Sequence, residues 1–239
     1  MLIAINHHVD TNNGLHVIDG NGGATNFRTM SVAGTIVLKK GDYASVWVYS
    51  SGDAYTIQSE TGFSCHRFTT TVGFHADKTN NQNVNQKGWQ ELTRWRTSGP
   101  AGLYNVDGFN IDTGLFTTPK TAAYFCFAQV RLDGASSTKG VYFRLLLAVN
   151  GRKDTYNGLS DIQGNGASSN VRSMSVAGTV YLVSGTALSL NVFSSKDASY
   201  RIQTESGWGC HQLKTRVGFH AHVKTDNRFG RGWNTVKVG

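Results

Sequence analysis

The chain is poor in charge, proline and cysteine. Of its 239 residues only 16% are charged, two are proline and three are cysteine. So little charge excludes disorder driven by self-repulsion. Two prolines beside 28 glycines, with no three-residue period, exclude a collagen-like helix. Three cysteines are too few to staple a small core-less fold, and their odd number leaves one without a partner in the chain. No stretch of about 18 apolar residues occurs, so a membrane-spanning helix is excluded. The Asn-x-Ser/Thr acceptor for N-glycans is also missing. What remains is a folded chain with 39% hydrophobic residues, long enough for one large or two small domains.

Basic residues outnumber acids 23 to 15, a net charge of +8. They are scattered as singles and pairs, such as Lys39-Lys40 and Arg152-Lys153, with no run or stripe to follow a phosphate backbone. The chain is therefore read as one that does not bind nucleic acid.

Self-similarity dominates the sequence. NFRTMSVAGTIVL from Asn26 returns as NVRSMSVAGTVYL from Asn170, DAYTIQSETGFSCH from Asp53 returns as DASYRIQTESGWGCH from Asp197, and VGFHA at Val72 returns at Val217. The offset is about 144 residues. Only Arg94 to Arg144 occurs once. Met1 aligns with Leu145 inside an apolar strand, so the chain is expected to be a segment of a longer tandem array. Its expected parts are the C-terminal half of one unit (1–68), a complete unit (72–213) and the first strands of a third (217–239).

The local pattern is β throughout. Leu188, Leu190 and Val192 alternate with Ser189, Asn191 and Phe193; Ala44, Val46 and Val48 alternate in the same way with Ser45, Trp47 and Tyr49. Met174, Val176, Val180 and Leu182 keep the two-residue period, as do Val141, Phe143, Leu145, Leu147 and Val149. Glycine and asparagine clusters such as Asp19-Gly20-Asn21-Gly22-Gly23 mark turns. Eight to ten such strands in a unit of about 140 residues predict a β-sandwich.

The once-only segment narrows the choice. Asp112-Thr113-Gly114-Leu115-Phe116-Thr117-Thr118-Pro119, followed by Tyr124-Phe125, resembles the signature of the globular head of complement C1q and its relatives in the tumour necrosis factor superfamily. Gly73-Phe74-His75-Ala76, Asn150-Gly151, Gly41-Asp42 and Gly62-Phe63-Ser64 are similar to that family's opening strand, mid-domain turn, the turn before its sixth main strand, and its closing strand. Ala122, Cys126, Cys65 and Cys210 depart from the family pattern. The resemblance implies tandem ten-stranded jelly rolls, all-β. It also implies that the strands carrying Cys126 and Cys210 are neighbours, which would let these two form a disulfide and leave Cys65 to a partner outside the chain. Reduced thiols buried in a β core are the alternative. A disulfide would indicate an oxidising, extracellular setting.

Chemistry is sparse. His75 and His220 occupy equivalent places, with His222 two residues beyond; they are weak metal candidates, and no metal site is expected. Some C1q-like domains hold calcium through loop carboxylates, and Asp10, Asp19, Asp154 and Asp161 are read as loop residues. Turn-forming aspartates explain them at least as well, so no cofactor is expected, with calcium left as an alternative that lacks a clear ligand set. Glu60 and Glu205 recur without a second recurring carboxylate, which leaves no acid and base pair. Cys65-His66 and Cys210-His211 point to opposite faces of a strand, which separates nucleophile from base. The chain is read as a non-enzyme. Trp47, Tyr49, Tyr181 and Phe193 lie opposite the aliphatic face and are candidates for a subunit interface. These readings converge on a secreted structural or adhesive protein that assembles with itself into a trimer, multimer or fibre. The alternative is a secreted C1q-domain lectin binding glycans or anionic surfaces.

Overall fold

The computed structural model describes residues 2–7, 14–16, 36, 38–48, 65, 72–98, 104–105, 107–134, 141–153, 159–163, 171–197 and 199–214. Among them are three short strands, β1 (Leu2–Ile5), β2 (Gly14–His16) and β3 (Ala44–Trp47). A long series follows: β4 (Gly73–Lys78), β5 (Gln82–Val84), β6 (Gly88–Glu91), β7 (Trp95–Arg96), β8 (Tyr104–Asn105), β9 (Phe116–Thr117), β10 (Ala122–Gly134) and β11 (Phe143–Val149). The last five are β12 (Leu159–Gln163), β13 (Val171–Leu182), β14 (Ala187–Ser194), β15 (Tyr200–Ile202) and β16 (Gly207–Gln212). Every pairing is antiparallel, and the described residues contain no helix.

From β4 onward the strands form two sheets. An eight-stranded sheet runs β5-β15-β10-β16-β4-β7, with β13 also on β10 and β8 also on β4. A five-stranded sheet runs β12-β11-β14-β6, with β9 also on β14. The chain crosses repeatedly from one sheet to the other, which makes the sandwich a jelly roll of the C1q and tumour necrosis factor kind.

The two-residue alternation read from the sequence sets the inner faces. Tyr124, Cys126, Ala128, Val130 and Leu132 of β10 pack against Phe143, Leu145 and Leu147 of β11 and Leu188, Leu190 and Val192 of β14 in one core. Aromatic rings fill one end of it. Phe74 stacks on Phe109 at 3.9 Å between centroids and meets Trp208 edge-on at 4.6 Å.

Strand β10 has two successive partners along one side, β16 opposite Tyr124 to Gln129 and β15 opposite Leu132 to Gly134. Cys126 and Cys210 are directly paired there, and a disulfide joins them inside the core.

The three short strands form a separate sheet ordered β2-β1-β3. Its register is that of β11 with β14 moved by the repeat: Ile3 faces Val46 as Leu147 faces Leu190, and Ile5 faces Ala44 as Val149 faces Leu188. The turn after the first strand matches as well. Asn6 and Asn150 both hold positive φ, 52° and 51°. Each main-chain N–H donates to a carbonyl at the start of the paired segment, that of Tyr43 just before β3 or of Ala187 in β14, and each Oδ1 accepts that same residue's N–H. The surroundings differ. Val46 is 38% exposed whereas Leu190 is fully buried, and among the described residues no second sheet covers β1–β3.

Candidate functional site

Each sheet of the sandwich has an outer face, and the polar and aromatic residues of interest lie there. On the eight-stranded sheet, His75 of β4 meets Phe127 of β10 edge-on at 5.1 Å, and His211 of β16 lies 5.3 Å from Phe125. Both imidazoles are buried. Gly207 and Gly209 make room for this cluster. A Cβ at Gly209 would stand 2.7 Å from the Phe127 ring, and one at Gly207 would stand 2.6 Å from Asp77 Oδ1. His75 Nε2 is 3.9 Å from that carboxylate. Burial, and secondly the nearby His75 charge, pull the His211 imidazole down to about 4 from its ordinary 6.5. Asp77 is pushed up by burial, against the pull of His75 and Arg96.

The outer face of the five-stranded sheet carries a row of rings. Register places Trp89 of β6 beside Phe193 of β14, and Phe193 beside Arg144 of β11. The Trp89 and Phe193 rings are 5.2 Å apart, Tyr142 stacks on Phe193 at 5.8 Å, and the Arg144 guanidinium lies 5.9 Å from the Tyr142 ring. Tyr142 closes the row at its open end, 42% exposed.

The interface candidates are not brought together. Phe193 belongs to this row. Tyr181, 72% exposed, lies opposite Ala123 on the outer face of the eight-stranded sheet, and Trp47 lies on the three-stranded sheet, where its indole N–H donates to Ser45 Oγ. Tyr49 is outside the described residues. Tyr142 and Arg144 alternate with Val141, Phe143 and Leu145, but nothing in the sequence joins them to Phe193 or to Trp89. The Gly-Trp pair at Gly88 that returns at Gly232 was the available clue to Trp89.

Metal chemistry finds no constellation: among the described residues no three His, Cys, Asp or Glu side chains converge. His75 lies in the ring cluster; His220 and His222 are outside the described residues. Of the loop aspartates, Asp10, Asp19 and Asp154 are likewise outside. Asp161 is corrected from a loop residue to a member of β12, paired with Leu145, because the β11–β12 ladder extends through it. Glu205 lies 2.8 Å from Arg131, which also holds Asp133. Cys210 faces the core in its disulfide while His211 faces outward, so the two cannot act as nucleophile and base.

No protein-family model matches the chain, and no curated protein matches it. The likenesses are to solved structures. Murine APRIL at pH 5.0 aligns over 59% of this chain and 98% of its own, at 14% identity and a TM-score of 0.43. The Eiger TNF from S. frugiperda aligns over 67% of this chain and all of its own, at 14% identity and a TM-score of 0.44. The strand order of the chain itself defines its class, an all-β jelly roll of the C1q and tumour necrosis factor kind.

Proposed function

We propose that the chain is part of a secreted, non-enzymatic structural or adhesive protein, built of tandem C1q-like units, that assembles with itself. One observation carries this reading: the β1–β3 pair and the Asn6 turn repeat the register and hydrogen bonds of the β11–β14 pair and the Asn150 turn. Units at 1–68, 72–213 and 217–239 account for that recurrence. Units of one shape that meet in one way propagate by construction. The Cys126–Cys210 disulfide supports an oxidising compartment. Exposed rings on separate outer faces, Tyr181, Tyr142 and Trp47, supply more than one surface for contact.

The test is particle size by light scattering and negative-stain electron microscopy, without reductant, at low and high salt. Beaded filaments or multimers that persist in high salt are expected. Monomers at every concentration would overturn the reading, and discrete oligomers released by added sugar would favour a lectin.

A further inference from the structure

The outer face of the five-stranded sheet holds two opposite charges that form no ion pair among the described residues. Glu91 follows Trp89 by two residues on β6, so both side chains point the same way, and Glu91 is exposed. Arg144 stands two strands away, roughly 10 Å at the spacing of neighbouring strands. Among the described residues neither side chain forms an ion pair, and Arg144 Nε is buried without a hydrogen-bond acceptor. Between them lie Trp89 and Phe193, and Tyr142 extends the row on the side away from Glu91.

The arrangement is self-complementary. A twofold axis along β14 would lay β6 of one copy over β11 of another. Arg144 would then face Trp89 and Glu91 of the other copy, and the reciprocal contact follows by symmetry. The rings would stack at the centre, and the half-buried Arg144 side chain would gain both a carboxylate partner and an aromatic face. We propose that this face is the contact between two copies of the chain, with Arg144 and Glu91 exchanged across the aromatic row. The proposal rests on the self-assembly reading and names its surface. The row is small beside the roughly 800 Å² per partner of a stable interface, so one contact alone is weak and gains strength by repetition.

Charge reversal tests it. Association is measured by sedimentation over a concentration series for the wild type, Arg144→Glu, Glu91→Arg and the double variant. Each single reversal sets like charges face to face and is expected to weaken association tenfold or more. The double variant restores it, because the pair is recreated in the opposite sense. Tyr142→Ser, at the exposed end of the row, is expected to weaken association with both charges in place, which covers the case of an Arg144 variant that fails to fold. If the wild type associates and the single reversals associate equally well, or the double variant is no better than the singles, this face is not the contact although self-assembly stands. A wild type that stays monomeric throughout the series removes both.

Discussion

Lys78 is buried at the end of β4, with its ammonium donating to Gln82 Oε1 at 2.9 Å and to the Thr93 carbonyl, 5.2 Å from the centre of the Trp95 ring. Burial, and then the charge of Arg94, bring it down to about 8 from 10.5. The unfolded chain therefore holds this proton over a range where the folded chain has released it. Stability rises from about pH 8 towards 10.5, and Lys78→Met is expected to remove that rise. Urea midpoints at two alkaline pH values check it; equal slopes in wild type and variant would refute it. His211 acts in the acid range with the same sign. Its neutral form is stable in the fold down to about 4, against 6.5 unfolded, so its contribution is complete above 6.5 and is lost as pH falls through 4. The cost of acidification is about 3 kcal/mol at this one group. Titration of the imidazole by NMR should show His211 still neutral at pH 5.5; a midpoint near 6.5 would contradict the buried environment. The disulfide is a further contribution. It spans a sequence separation of 84, and replacing both Cys126 and Cys210 by Ala is expected to cost about 4 kcal/mol in denaturant unfolding, with a loss below about 1 kcal/mol arguing against it.

At the scale of elements, β16 is shaped by what it must not carry. Its Gly209 lies against the Phe74 carbonyl and the Phe127 ring, where a Cβ would come within 2.5 Å and 2.7 Å of them. Gly209→Ala is expected to destabilise the sandwich by about 1–3 kcal/mol and to disturb the Phe127 resonances; unchanged stability would show that the strands shift freely. The long strands were readable beforehand. In β11 and β14 a two-residue period runs long enough to name both faces, and that much places Leu145, Leu190 and Val192 inside. The short strands were not. Two residues such as Trp95–Arg96 or Phe116–Thr117 contain no period, and they are strands because β4 and β14 offer them an edge. The same limit hid most of the aromatic row. Phe193 stood out by alternation, but Trp89, Tyr142 and Arg144 come from distant stretches and meet it only through register. The histidine and phenylalanine cluster was half visible, in the motif that stands at Val72 and returns at Val217, and its Phe127 was not.

At the scale of the molecule, the connected core among the described residues runs from Val72 to Cys210 and includes none from β1–β3. Residues 72–213 expressed alone are therefore expected to unfold in one cooperative transition with the disulfide intact. A non-cooperative melt would show that the unit needs its flanks. The entry and exit of this unit are neighbours, since Gly73 at the start of β4 pairs with His211 near the end of β16. A pull applied at these two ends would peel β4 from β16 one bond at a time instead of shearing them together. Detachment on the β16 side stops at Cys210, which is tied to Cys126 on the next strand. Only the stretch before Cys126 can then lengthen, on the order of 180 Å of contour. Reduction more than doubles this, so the buried sulfur bridge makes residues 72–213 a spring with a fixed stop.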